Sequence, residues 1–436
     1  MNLQLSQTNL EIHSANMDNI QPMPDTRETQ DIFLAHQPIM DSNQKIVAYE
    51  LLFRSGGQGA GPITDDMAAS ASVILNTFSH FGAEKVIGQH QGFINVNTEL
   101  LMSDMLELLP REQIVLELLE TVAPTLDVIK RCRELKIMGF RLALDDFVYD
   151  PAFEPLLELA DYVKLDLLAT LQSDLPSVVS RLKHRPIKLI AEKLESVEQF
   201  KLCRDLGFTL FQGYYFARPV IISGKKADPA KMVLLRLLGQ ILGDGENHEI
   251  EKTFKQQPGL SFNLLRLVNS VAMGLRNPVS SLNQALVVLG RRQLQRWIQL
   301  LIYTVGDAAS QNSPLLQLAA SRGRLMELLA KAQRPGSGDY HERAFMVGIL
   351  SLLDALLGLP MTEILSQLSL NSEVRDALLN KDGTLGQLLG LVKELEAANF
   401  DAATDIMAQT GIPLAALTEA QLETFRWVDE LNQEKD

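Results

Sequence analysis

The sequence predicts a closed α/β barrel followed by an all-helical domain, on three observations. Short apolar runs that read as buried strands recur through the first half, each ending in a polar group. Helix-like segments separate several of them, and strands alternating with helices imply a largely parallel sheet. Beyond residue 230 the strand pattern stops. Leu and Ala then dominate and apolar residues recur at three and four, as in Met232-Leu235-Leu238-Ile241 and Leu264-Leu267-Val268.

Residues 1–30 are polar, without a long apolar run, and are expected to be a disordered tail rather than a signal or an anchor. Phe33–Met40 and Ile46–Phe53 flank the turn-rich Asp41-Ser42-Asn43-Gln44, which predicts a hairpin with the first strand antiparallel to the rest. The recurring runs then follow. Ile46–Tyr49 leads to Glu50, and Phe93–Val96 leads to Asn97. Val115–Glu120 reads V-L-E-L-L-E and Leu142–Phe147 reads L-A-L-D-D-F. Tyr162 and Val163 lead to Lys164 and Asp166, Ile187–Ala191 to Glu192 and Glu195, and Phe208–Phe211 to Gln212. Helices are expected at Asp66–Phe81, Pro124–Leu135 and Val197–Leu206. About seven such strands in roughly 190 residues fit a TIM-like barrel, whose site lies at the C-terminal rim of its strands.

The acids set the chemistry. An isolated carboxylate in an apolar core costs too much, so these must face water, a cation or a substrate. The adjacent Asp145 and Asp146 at a strand end suggest a site for hard divalent cations.

Together these pieces carry a resemblance. Residues 31–222 resemble the EAL domain, the family of cyclic di-GMP phosphodiesterases. The signature triplet stands here as Glu50-Leu51-Leu52, followed by Arg54. Gln37-Pro38-Ile39, Val96-Asn97, Glu117-Leu118-Leu119-Glu120, Asp145-Asp146-Phe147, Lys164-Leu165-Asp166, Ala191-Glu192-Lys193-Leu194-Glu195 and Gln212-Gly213-Tyr214 match in order. The resemblance implies two divalent ions, Mg²⁺ or Mn²⁺, held by Glu50, Asn97, Glu117, Asp145 and Asp146. Two ions a few ångströms apart hold an attacking water and neutralise phosphate charge. It further implies Glu192 as general base, Lys164 as the group that orients water or stabilises charge, and Asp146 on the second ion. Gln37 and Arg54 would contact substrate, and Glu195 and Gln212 would support the second metal and the active-site water network. Glu120 matches a glutamate that braces the loop after Asp146. That loop departs from the family. Phe147 runs into Val148-Tyr149-Asp150-Pro151, without the usual glycines, and its backbone options narrow. The departure puts in doubt the loop's family role of coupling metal binding to dimerisation.

Residues 223–229 read as a linker and 230–436 as the helical domain. Breaks are expected at Gly243–Glu246, Gln257-Pro258-Gly259, Arg276-Asn277-Pro278, Gly306–Ser313, Arg334–Gly338, Gly358-Leu359-Pro360 and Asp382-Gly383, with a last helix over Glu419–Leu431. Leu264–Ser270, Ser281-Leu282, Ala285, Leu289-Gly290 and Gly348–Asp354 resemble an HDOD domain, a relative of the HD hydrolases that lacks their metal site. His248 and His341 are the histidines of this half, neither precedes an Asp, and both are expected at exposed loops or caps. The Arg291-Arg292 and Arg296 cluster is expected to be a solvated helix face, its alternative an acidic partner surface. Trp297 is expected in the core.

A net charge of −14 over 436 residues argues against binding nucleic acid, which needs a basic face. Cys132 and Cys203 have no ligand spacing, are expected as buried thiols, and suit a reducing cytoplasm. No apolar stretch reaches membrane-spanning length without a charge. The expected protein is thus a cytoplasmic signalling protein. Its barrel binds cyclic di-GMP and hydrolyses it to linear pGpG, and its helical domain serves regulation or a protein partner. A homodimer is one assembly the resemblance allows. The alternatives are a cyclic di-GMP effector without turnover and a scaffold that ignores the nucleotide.

Overall fold

The structure is a computed structural model, and it describes residues 32–55, 86–170, 173–213, 215, 228–269, 279, 281–304 and 314–433. The expected tail over 1–30, the helix Asp66–Phe81 and the boundaries at Arg276–Pro278 and Gly306–Ser313 lie outside these residues, as does most of the linker.

Eight strands close into one barrel in chain order: β1 (Ile32–Asp41), β2 (Ile46–Ser55), β3 (Gln91–Val96), β4 (Ile114–Leu118), β5 (Arg141–Leu144), β6 (Tyr162–Asp166), β7 (Lys188–Glu192) and β8 (Leu210–Gln212). β1 runs antiparallel to both neighbours, β2 and β8, and the remaining pairs are parallel, as the hairpin reading required. Ile39, Ala48, Phe93, Val115, Ala143, Tyr162 and Ile190 form one buried cluster, a plug across the barrel. Side chains alternate along a strand, so two residues further toward the rim the same face recurs. Those positions are Gln37, Glu50, Asn95, Glu117, Asp145, Lys164, Glu192 and Gln212. The barrel therefore carries an apolar floor beneath a polar layer, like the stacked layers of other α/β barrels. Helices Leu126–Ile137 and Val197–Leu206 lie near the expected spans, the second opened by a Ser196 capping box.

The second half is helical throughout its described length, from Pro229–Leu242 to Leu414–Gln433. Helices end at the expected Gly243–Glu246, Gln257–Gly259, Arg334–Gly338, Gly358–Pro360 and Asp382-Gly383. Of four further breaks, those after Leu350, Ser366 and Glu396 carry weaker signals, whereas that after Thr410 carries Gly411 and Pro413. Helices Pro314–Gln333 and Gly338–Leu350 cross at Gly348, where an added Cβ would meet the Arg322 carbonyl carbon at 2.5 Å.

The two halves share packing. Phe33 and Ala35 of β1 belong to the helical core, and Phe33 meets Phe400 with ring centroids 5.6 Å apart. Conversely, Leu422 of the last helix belongs to the barrel core. The Gln421 amide donates to the Leu34 carbonyl at 2.5 Å. The arginine cluster is solvated at Arg292, and its members are also paired: Arg296 binds Glu342 and Glu327, Arg292 binds Glu342, and Arg291 binds the Gly245 carbonyl. Trp297 is half-buried against the helical core, stacked on Phe254.

Candidate functional site

The polar layer is organised on Lys164. It sits at the middle of β6, is 1% exposed, and points into the barrel. Its ammonium donates to Glu50 Oε2 at 2.9 Å and to Glu117 Oε1, and stands 2.6 Å from Glu192 Oε1 and 3.5 Å from Asp145 Oδ1. Gln212 on β8 donates to Glu50 Oε2 at 2.7 Å and to Gln37 Oε1 at 3.0 Å, which joins the end of the sheet to its beginning. Glu50, Glu117, Lys164, Glu192, Asp145, Gln37 and Gln212 are thus brought together from six strands and the end of β5.

One ammonium cannot balance four carboxylates at this depth. Burial alone would push the Lys164 ammonium down, yet Glu117, Glu50, Glu192 and Asp145 outweigh it and hold it well above the lysine range. Burial drives Glu117, which is 0% exposed, well above the carboxylate range; Lys164 opposes the rise, and Glu50, Asp145 and Glu192 add to it. Burial likewise pushes Glu192 up to about 8. Glu117 Oε2 is buried without a hydrogen-bond partner among the described residues. Carboxylate oxygens of Glu50, Glu117 and Glu192 lie within 4.8 Å of one another. An all-oxygen donor set with surplus negative charge and an orphaned carboxylate oxygen fits a hard divalent cation.

A second group, Glu120, Asp145 and Asp146, lies at the rim with its carboxylate oxygens equally close. Asp146 is held at φ 39°, a left-handed conformation that Asp tolerates better than bulkier residues. This is how the loop turns without the family's glycines, while Phe147 anchors it in the core and Tyr149 donates to Glu154 at 3.0 Å. Asp146 Oδ1 is buried and unpartnered among the described residues, and burial, with Asp145 beside it, pushes its carboxyl up.

Asn97 departs from its expected place. Its Oδ1 accepts the Leu100 amide at 2.8 Å and so caps the short helix Thr98–Leu101. Asn95 occupies the inward position instead, in register with Glu117, and its Oδ1 is buried without a partner among the described residues. The motif Asn95-Val96-Asn97 offers an amide at both positions, and strand alternation alone separates them. Arg54 is engaged elsewhere, donating to Asp401 of the helical half at 2.7 Å. Glu195 is exposed on the loop after β7.

Two residues join the rim to which the sequence assigns no role. Lys193 lies 2.5 Å from Asp166 Oδ2 and 3.5 Å from Asp146 Oδ2. Burial works against the Asp166 carboxylate, but Lys193 and the amides of Leu168 and Ala169 hold its pKa down. Asp166 was legible as the next inward position after Lys164, whereas Lys193 stood in a matching motif without a role. His248 and His341 sit in the first turns of helices, and among the described residues neither joins a group able to hold a metal.

The chain is similar to known proteins in both halves. The family model of the EAL domain matches residues 21–219, and that of the HDOD domain matches residues 243–376. The chain is 34% identical to the cyclic di-GMP phosphodiesterase CdgJ of Vibrio cholerae serotype O1 over 424 residues, 95% of each chain. It is 32% identical to the uncharacterized protein YuxH of Bacillus subtilis, covering 93% of this chain and 100% of that one. A Klebsiella pneumoniae BlrP1 structure, a manganese and cyclic di-GMP complex, is 25% identical, with 45% of this chain and 57% of that one covered and a TM-score of 0.36.

Proposed function

The chain belongs to the family that joins an EAL domain to an HDOD domain, and from that premise we propose that its barrel binds cyclic di-GMP and hydrolyses it to linear pGpG. The observation that carries the reading is the inward layer of Glu50, Glu117, Asp145 and Glu192 around Lys164.

Glu50 and Glu117, with Asp145 as the resemblance implies and Asn95 in the place it gave to Asn97, would hold a first divalent cation, and the clustered Asp145, Asp146 and Glu120 a second, with Mg²⁺ or Mn²⁺ the ions suited to oxygen donors. Such ions supply Lewis acidity toward the phosphate and acidify a water. Glu192, whose burial keeps it near neutral titration, takes the proton of the attacking water. Lys164 keeps its charge across the whole working range and stabilises negative charge as it develops on the phosphate. Gln212 holds Glu50 and Gln37 in one arrangement, and Gln37 is then presented at the rim toward substrate. Arg54 reaches a phosphate or a guanine edge only when it leaves Asp401.

The helical half supplies regulation or a protein contact in this reading. Two buried free thiols and a net charge of −14 support a reducing cytoplasm and argue against a nucleic-acid partner. Among the described residues no helix is long and apolar enough to cross a membrane.

The test is incubation with cyclic di-GMP and Mg²⁺ or Mn²⁺, with products separated by chromatography, beside Glu117→Gln. Metal-dependent pGpG formation that the variant loses supports the enzyme. Binding without product makes the barrel a receptor, and neither makes it a scaffold.

A further inference from the structure

We propose that Lys193 is the resident counter-charge of the second cation site, so that a divalent ion enters there only by displacing its ammonium from Asp146. This role rests on the second cation of the proposed function and deepens it by naming what opposes that cation's entry. Lys193 follows Glu192, the last residue of β7. Its ammonium lies 2.5 Å from Asp166 Oδ2, at the end of β6, and 3.5 Å from Asp146 Oδ2, beyond the end of β5. Asp146 is one of the three carboxylates that gather at the rim, with Glu120 and Asp145.

The backbone brings the two side chains together. Strand alternation would send the residue after the inward Glu192 to the outer face of the barrel. Lys193 instead stands at φ 54°, in the left-handed region that non-glycine residues rarely adopt. Asp146, which it meets, is also left-handed, at φ 39°. Such conformations persist only where the surroundings impose them. After Lys193, Leu194 is buried, its amide donates to the Gln212 carbonyl at 3.1 Å, and a Cβ on Gly213 would meet the Leu194 nitrogen at 2.5 Å. After Asp146, Phe147 is buried and its amide donates to the Lys164 carbonyl at 3.0 Å. Both residues are therefore anchored at the rim, although the Lys193 side chain is half-exposed.

Asp166 holds the ammonium in place. Its Oδ1 accepts the amides of Leu168 at 2.6 Å and Ala169 at 3.3 Å, and its Oδ2 accepts from Lys193. Asp146 Oδ2 meets the same ammonium as a looser ion pair, while Asp146 Oδ1 is buried and unpartnered among the described residues. One oxygen of Asp146 thus already faces a cation, and the other still calls for a donor or an ion.

A divalent ion on Asp146 would stand within a few ångströms of the ammonium. Like charges that close, on a rim open to water, change a binding constant by about tenfold. The two cation positions carry different lysines: Lys164 against Glu50 and Glu117, Lys193 against Asp146. Removing Lys193 should therefore act on the second cation and spare the first. The barrel accordingly fills in two steps, and the second sets the cation concentration at which both ions are in place.

The test is a Mn²⁺ titration of the full chain without nucleotide, read by calorimetry and by the electron paramagnetic resonance signal of free Mn²⁺, beside Lys193→Met and Lys193→Arg. The wild type is expected to bind one Mn²⁺ tightly and a second weakly. Lys193→Met, which keeps the length and removes the charge, should tighten the second by about tenfold and leave the first unchanged. Lys193→Arg, which keeps the charge, should behave as the wild type. Added salt should shrink the difference between Lys193→Met and the wild type. Should Lys193→Met not fold, Lys193→Gln carries the comparison. Lys193 has no such role if the second affinity is unchanged or weaker in Lys193→Met. It has none if Lys193→Arg matches Lys193→Met, since shape rather than charge then governs, or if no form binds a second Mn²⁺. These readouts need no turnover. A wild type that forms no pGpG loses the proposed hydrolysis and keeps the titration, whereas unchanged affinities in Lys193→Met remove the lysine's role and leave hydrolysis standing.

Discussion

Asn95 and Asn97 are two residues apart and do different work. Asn95 lies in the inward layer with an orphaned oxygen, whereas Asn97 caps a helix. Asn95→Ala should lower divalent-cation affinity by roughly 10- to 100-fold, as losses around a metal site do, and lower turnover with it. Asn97→Ala should leave the metal titration unchanged and cost about 1 kcal/mol of stability, the worth of an N-cap. Paired Mn²⁺ titrations and melting curves separate the two, and the reverse pattern would restore Asn97 to the metal. His36 makes a second prediction. Burial lowers its pKa from 6.5 to about 3, so the folded state keeps it neutral while the unfolded state takes up a proton. Its stabilising contribution is complete above pH 6.5 and is lost as pH falls from 6.5 toward 3. The slope approaches about 1.4 kcal/mol per pH unit. The melting temperature of the wild type should fall across that window, and His36→Phe should flatten the fall; an unchanged slope would remove His36 from the account.

Gly348 sets how closely helices Pro314–Gln333 and Gly338–Leu350 cross, because a Cβ there would lie 2.5 Å from backbone atoms of Arg322 and Gly323. Gly348→Ala should therefore destabilise by about 1–3 kcal/mol, the usual cost of overpacking, read from the denaturation midpoint. Elements of this kind were legible in the sequence where a strong local signal coincided with the tertiary outcome. Helix Val197–Leu206 has its capping box, and each strand that ends in acid lies in the barrel. The metal-side carboxylates were legible for the same reason: a carboxylate that closes a buried apolar run must meet a cation or water where the run ends. What was hidden depended on geometry across the chain. The inward turn of Asn95 rather than Asn97 is a matter of strand phase, and either residue suits the composition. The ion network of Arg296 with Glu327 and Glu342 joins residues more than thirty apart, so the inward pairing of this one member of the basic cluster was hidden. The break after Leu350 comes without Gly or Pro and follows from packing.

At the scale of the molecule, the two halves meet at the mouth of the barrel as well as behind it. Arg54, four residues beyond Glu50 on β2, is held by Asp401 of helix Phe400–Thr410. Asp401 is 83% exposed, so the pair is a surface contact of small weight. Asp401→Ala should free Arg54 for substrate, lowering KM by roughly two- to fivefold with kcat unchanged. Steady-state kinetics decide this, and a rise in KM would mean that Asp401 positions Arg54 rather than withholding it.

The last helix places Leu422 in the barrel core and fixes Gln421 on Leu34, a residue 387 positions earlier. At ribosomal speeds of about 5–20 residues per second, Leu34 leaves the exit tunnel roughly 20–80 s before its partner does. The outer side of the first hairpin is therefore uncovered during nearly the whole of synthesis, and its cover is completed only after translation has passed the helical half. A nascent chain stalled short of Leu414 should present that strand pair to chaperones, so production of the protein depends on elongation rate as well as on final stability.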